Sequence, residues 1–381
     1  MLNHLKLTTV ALALGLVTTT ALAQDTLETE RHNITLNTVA EGLANPWGMA
    51  FINDTQALVT ERPGRLRLVS LDGTLSQPIS GVPAVDARNQ GGLLDVAVDP
   101  DFANNGYVYL SFAEADANRE GFNSTAVARG VLKGDRLENV EVIFSQTPKA
   151  ESAGHFGSRL VFGPEGHLFI TTGDRQRAEY MNEAQNLNNH IGTVIRIWPD
   201  GSVPKDNPFV GRDDAQPEIW SYGHRNVQGA AIHPETKELW TNEHGPRGGD
   251  EINIARAANN YGWPVASYGI NYDGSVLTEQ VHVDGTEYPH YYWVPSIATA
   301  GMMFYTGDKF PEWQGDLFVG ALRGMQIARL DLNGERVMHE ETLLEGTIND
   351  RIRDLEQGPD GFIYILTDNP NGRLLRLEPA K

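Results

Sequence analysis

Two stretches decide the fold: Gly163-Pro164-Glu165-Gly166 leading into His167-Leu168-Phe169-Ile170-Thr171, and Gly358-Pro359-Asp360-Gly361 leading into Phe362-Ile363-Tyr364-Ile365-Leu366-Thr367. In each, a tight turn hands over to a short run of alternating apolar and aromatic residues ending on Thr, the signature of a hairpin feeding a strand. Weaker copies are Asn53-Asp54 with Ala57-Leu58-Val59-Thr60, Asp99-Pro100-Asp101 with Tyr107-Val108-Tyr109-Leu110, His233-Pro234-Glu235 with Leu239-Trp240-Thr241, and Gln314-Gly315-Asp316 with Leu317-Phe318-Val319-Gly320. A second strand pattern follows most copies, at Arg65 to Val69, Val194 to Ile197, Met325 to Leu330 and Leu374 to Leu377. Each unit reads as an antiparallel meander. A β-sandwich shares this alternation, but six copies recurring every roughly 45 to 80 residues favour radial repetition, which protects sheet edges. The expected fold is all-β, a six-bladed β-propeller of four-stranded antiparallel blades. Closure is expected by pairing Asn33-Ile34-Thr35-Leu36 with the last blade.

Working outward, residues 1–23 carry one basic residue, Lys6, an apolar run from Thr9 to Val17, and Ala21-Leu22-Ala23 before Gln24. This three-part pattern predicts a secretory signal cleaved near Ala23 and an exported, periplasmic or secreted, protein. Residues 24–381 then form a single propeller domain. The apolar run is too short for a permanent membrane span. With 0 cysteines, disulfides, thiolate catalysis and cysteine-ligated metals are excluded. A net charge of -20 argues against nucleic-acid and anionic-lipid partners.

Chemistry concentrates in four loops between the strand patterns, where a rigid scaffold usually displays function. The first, Ala153-Gly154-His155-Phe156-Gly157-Ser158-Arg159, holds a histidine whose neutral imidazole is able to accept an alcohol proton, although a lone loop histidine is more often a plain hydrogen-bonding residue. The second, Ser221-Tyr222-Gly223-His224-Arg225-Asn226-Val227-Gln228-Gly229, offers the Arg225 fork to a carboxylate or quinone oxygen, or ties two loops together. The third, Asn242-Glu243-His244-Gly245-Pro246-Arg247-Gly248-Gly249-Asp250-Glu251-Ile252-Asn253, fits either a glycine-rich surface turn or a hard-cation loop built on backbone carbonyls. In the fourth, Asn349-Asp350-Arg351-Ile352-Arg353-Asp354, two arginines share one face of an extended segment. They form either a salt-bridge ladder with Asp350 and Asp354 or a polycarboxylate pocket.

Together these loops resemble the soluble aldose sugar dehydrogenases dependent on pyrroloquinoline quinone (PQQ), the family of soluble quinoprotein glucose dehydrogenase and sorbosone-dehydrogenase-like proteins. The resemblance runs from Asn45-Pro46-Trp47-Gly48 to about Leu377 and includes Gln90-Gly91-Gly92-Leu93-Leu94-Asp95, Tyr261-Gly262-Trp263-Pro264 and Arg351-Ile352-Arg353-Asp354. It implies oxidation of aldose sugars to the lactone with PQQ and Ca2+ as cofactors, electrons passing to an external acceptor such as a quinone, cytochrome or dye. By the same resemblance His155 is the general base, and Gln90, Arg225, Asn226, Tyr272, Arg351 and Arg353 contact PQQ. Arg225 also stabilises charge on the reduced cofactor. The carbonyls of Gly245 and Pro246 hold its calcium, and Glu251 and Tyr261 mark a second calcium site. Arg323 stands where glucose-specific members carry a lysine near the cofactor, which leaves local geometry open. The sugar-pocket loops, residues 175–188 and 278–292, match the glucose-specific enzymes poorly. Two rivals remain: a calcium-dependent lactonase or esterase, which has no need of paired arginines, and a non-catalytic ligand-binding propeller.

Overall fold

The computed structural model describes residues 26–380; the expected signal segment and its cleavage point lie outside the described residues. Six antiparallel sheets are arranged as blades. Blade 1 pairs Pro46–Asn53, Gln56–Glu61 and Arg65–Ser70. Blade 2 begins with Leu93–Val98 and Tyr107–Ala115, blade 3 with Leu160–Phe162 and Leu168–Thr171, and blade 4 with Val227–Ile232 and Leu239–Glu243. Blade 5 begins with Thr299–Phe304 and Leu317–Ala321, and blade 6 with Ile352–Gln357 and Ile363–Thr367. All six turn motifs read from the sequence join the first and second strands of a blade, which is why they repeat. Blade 1 departs from four strands: its outer edge is completed only by isolated bridges, Leu66 to Ile79 and Val69 to Leu75.

The ring closes as expected. Asn33–Leu43 pairs antiparallel with Gly372–Pro379, from Ile34 opposite Pro379 to Leu43 opposite Gly372, so the amino-terminal strand completes the carboxy-terminal blade. The first strand of each blade packs on the first strand of the next around the whole ring. Because alternate residues of a strand face opposite sides, each blade presents an apolar face to both neighbours, and six clusters fill the six gaps. Leu58 and Leu66 meet Val108 and Leu110 between blades 1 and 2, while Met303, Trp313 and Phe318 meet Ile352, Ile363 and Ile34 between blades 5 and 6. Burial of this kind contributes about 25 cal/mol per Å² of apolar surface, and it replaces the covalent staples that a cysteine-free chain lacks.

Polar groups lie where the first strands converge. Arg159, entering blade 3, gives Nη1 to Asp95 Oδ1 of blade 2 at 3.0 Å and to Asp354 Oδ1 of blade 6 at 2.9 Å, and Nε to the Gln228 carbonyl of blade 4 at 3.1 Å. Burial, against the opposing pull of Arg159, pushes the Asp95 carboxyl up to about 7 and raises Asp354 too. Arg159→Met should therefore destabilise the protein at pH 7 by about 3–5 kcal/mol, since it strands two buried carboxylates. Protonating them relieves the charge, so the gap to wild type should narrow as the pH falls from 8 to 5. Thermal melts across that range check both points.

Candidate active site

The loops that matter share one end of the ring. His155 sits before the first strand of blade 3, is 3 % exposed, and adopts φ 46°. That left-handed backbone is costly for a residue with a Cβ and persists where surrounding contacts enforce it. Here the His155 N–H donates to Gln90 Oε1 at 2.8 Å, and Nδ1 lies 2.6 Å from Asp174 Oδ1. Asp174 Oδ2 accepts Trp263 Nε1–H at 2.8 Å, and Oδ1 also accepts the Gln176 N–H at 2.8 Å. The network assigns the imidazole proton to Nδ1 and leaves Nε2 as the proton acceptor. Burial lowers the His155 pKa below 6.5, opposed by the Asp174 charge and helped by Arg225. Burial works against the Asp174 charge, yet His155, Arg225 and the Gln176 N–H together hold its pKa below the usual carboxylate value. A neutral, oriented imidazole backed by a carboxylate is the arrangement of a general base.

Beside it lies a cleft lined by Trp47, Arg62, Gln90, Leu94, Phe156, Gly157, Gln228, His244, Leu322, Arg351 and Arg353. Three arginines face this space, and among the described residues one carboxylate, Asp368, pairs with them. Arg353 Nη2 reaches Asp368 Oδ2 at 2.6 Å, and Arg351 Nε is 3.6 Å from the same oxygen. The acids adjacent in sequence are engaged elsewhere, Asp350 with Arg373 and Asp354 with Arg159, so the local salt-bridge ladder does not form. Nε of Arg62 and of Arg353 is buried with no hydrogen-bond partner among the described residues. Such donors fit an anion with several carboxylates.

A smaller pocket adjoins through His244 and is lined by Arg225, Glu243, Gly245, Gly249, Glu251, Tyr261, Trp263 and Ser267. Arg225 Nη1 donates to the Gly245 carbonyl at 2.8 Å and the His244 carbonyl at 3.1 Å, and its Nε is without a partner among the described residues. Burial, reinforced by the Glu243 charge, pushes Glu251 well above the usual carboxylate range. Glu243, which is buried, and half-buried Glu251 lie beside backbone carbonyls in a donor set suited to a hard cation, although among the described residues no three His, Asp or Glu side chains gather as a metal cluster. The Tyr261 hydroxyl is tied to the Ile254 carbonyl and the Arg256 N–H. A Cβ on Gly245 would collide with the carbonyl oxygens of Gly248 and Gly249, which explains glycine there. Pro246 is buried against Gly269.

The remaining expected residues stand apart from the cleft. Asn226 is buried with Oδ1 accepting the Gly157 N–H at 3.1 Å, so it braces the loop that carries His155. Tyr272 is 69 % exposed at a turn of the 262–290 segment. Arg323 is exposed because its neighbour Leu322 turns inward. Sequence reasoning missed Asp174 and Arg62, and gave no role to Trp47, Gln228, His244 or Trp263 within motifs it had quoted. An acid just after the Thr171-Thr172-Gly173 strand end was the available signal for Asp174.

With this geometry in view, residues 43–376 match the family model described as Glucose / Sorbosone dehydrogenase. The chain belongs to that family. It is 44 % identical over 351 residues to the aldose sugar dehydrogenase YliI of Escherichia coli, covering 91 % of this chain and 93 % of the relative. The crystal structure of the soluble aldose sugar dehydrogenase from Escherichia coli in the apo-form superposes with a TM-score of 0.87 at 42 % identity, covering 91 % of this chain and 100 % of that one. The PQQ-bound aldose sugar dehydrogenase of Streptomyces coelicolor gives 0.75 at 26 % identity, covering 91 % and 98 %.

For this member of the family, an NMR titration of His155 should give a midpoint below 6.5. The sign follows from the burial: the folded protein disfavours imidazolium, so His155 contributes stability above pH 6.5 that is lost as protonation is forced at lower pH. Asp174→Asn removes the anion that favours protonation, and the midpoint should drop further.

Proposed function

We propose that the chain catalyses PQQ- and calcium-dependent oxidation of aldose sugars at the anomeric carbon to the lactone, with electrons leaving to an external acceptor. The observation that carries this reading is the His155–Asp174 pair set beside a cleft of three arginines whose charges exceed the single carboxylate serving them. The names of the Escherichia coli relative and of the PQQ-bound Streptomyces structure support it. The residues present fit the cofactor: Arg62, Arg351 and Arg353 suit its carboxylates, and Gln90 and Arg225 suit its quinone end. The Gly245 and Pro246 carbonyls suit its calcium, and Glu251 with the Tyr261 segment suits a second calcium.

When bound, PQQ supplies the two-electron acceptor for the anomeric hydride, and calcium supplies the Lewis acidity that activates it. The chain's own part is proton transfer and positioning. His155 Nε2 takes the anomeric hydroxyl proton as the C1–H bond breaks and the lactone carbonyl forms. Asp174 holds the ring in the required tautomer and stabilises the imidazolium. Arg225 adds a fixed positive charge where negative charge develops. Trp47, Leu94 and Phe156, packed with Ala113, form an apolar wall that excludes water.

Purified protein stripped of cofactor should reduce a dye with glucose and other aldoses only after PQQ and calcium are both added. His155→Ala should lose about 10²–10⁴-fold in kcat. Lactone hydrolysis with calcium alone, and no dye reduction, would replace this reading with a lactonase.

A further inference from the structure

Arg175 is fully buried, yet among the described residues it makes no ion pair with a carboxylate. Its Nη1 donates to the His155 carbonyl at 3.0 Å, its Nη2 to Asn123 Oδ1 at 2.6 Å, and its guanidinium lies 3.9 Å from the centre of the Phe156 ring. Asn123 passes the contact on to Asp86, donating Nδ2–H to Oδ2 at 2.8 Å. Burying a cation this way costs several kcal/mol unless something compensates it. A neutral donor would satisfy the same carbonyl at lower cost, so the charge itself needs an explanation.

We infer that Arg175 is a positioning residue for proton transfer at His155: its guanidinium pins the backbone of the base and sets a fixed positive charge beside it. The inference rests on the dehydrogenase reading above. His155 is held in its left-handed conformation from both sides, the N–H by Gln90 Oε1 and the carbonyl by Arg175. Arg175 is itself fixed at φ 66°, and its carbonyl accepts the Ser152 hydroxyl at 2.6 Å, so two loops clamp each other around the base. Arg175 is fully buried and its Nη1 is spent on the His155 carbonyl, so it acts through His155.

Four charged or titratable groups surround the His155 imidazole. Asp174 favours its protonation, while Arg225 and Arg175 oppose it. The fourth, His244, is held neutral, its pKa pushed down to about 3 by burial and by His155, Arg225 and Arg353. Arg175 is the cation of this set that contacts the backbone of the base and stays clear of the cleft. Burial draws its own pKa down to about 9, which leaves it charged at neutral pH.

The test compares Arg175→Met and Arg175→Gln with Arg175→Lys in the full chain. Two readouts are followed: the His155 imidazole titration by NMR in cofactor-free protein, and the pH profile of dye reduction in protein reconstituted with PQQ and calcium. In the neutral variants the titration midpoint and the acid limb of kcat/KM should both move to higher pH by about one unit. Their kcat should fall by about tenfold or more while KM stays within about threefold. Arg175→Lys should return the midpoint to the wild-type value. An unmoved midpoint in a folded neutral variant overturns the inference, as does unfolding of both neutral variants while Arg175→Lys folds, which would make the arginine a purely structural ion. Because the NMR titration needs no turnover, a wild-type protein without dehydrogenase activity would sink the proposed function and leave the Arg175 result readable.

Discussion

The ring depends on one buried guanidinium. Arg159 leaves the loop that carries His155, bridges Asp95 of blade 2 and Asp354 of blade 6, and donates to the Gln228 carbonyl of blade 4. It also lies 4.5 Å from the centre of the Trp47 ring of blade 1. The second oxygen of each aspartate accepts a backbone N–H of the following blade, Leu160 for Asp95 and Met49 for Asp354. Five of six blades therefore meet at one ion cluster on the axis. This cluster and Trp47 also form a partition: Trp47 lines the cleft beside His155, whereas Arg159, Asp95 and Asp354 line a separate cavity. The Arg159 guanidinium stacked on Trp47 thus sits between the cleft and the second cavity.

Charge also resolves a tension between the acidic chain and a polyanionic cofactor. A protein of net charge -20 repels anions at long range. At short range three arginines gather in the cleft with Asp368 alone between them, because Asp350 and Asp354, their neighbours in sequence, are drawn to Arg373 and Arg159. Burial of Nε groups without partners then favours a ligand able to satisfy them.

The blades were legible because each repeats one local rule, a Pro/Asp/Gly turn followed by alternating apolar residues, and closure was expected because rings often pair their terminal strands. The incomplete fourth strand of blade 1 was not, since its partner residues, Leu75 and Ile79, touch the sheet only as isolated bridges. In the site, His155 and Arg225 stood out as polar residues in glycine-rich loops, Arg351 and Arg353 as paired arginines on one face of an extended segment, and Gln90 through the family resemblance. Arg62 and Asp174 did not, because each follows an ordinary strand end, and their role arises only when loops from different blades converge. Arg323 and Tyr272 show the converse: Arg323 faces solvent because the backbone turns its neighbour Leu322 inward, and Tyr272 stands exposed at a turn.

The most direct test of the account is an equilibrium titration of PQQ into cofactor-free protein, followed through the quinone absorbance, for wild type, Arg62→Gln and Arg353→Gln. Saturable binding that weakens by about tenfold or more in each variant is the predicted result, as expected for the loss of a charge-assisted hydrogen bond. Absence of saturable binding, or equal affinity in all three proteins, would contradict it.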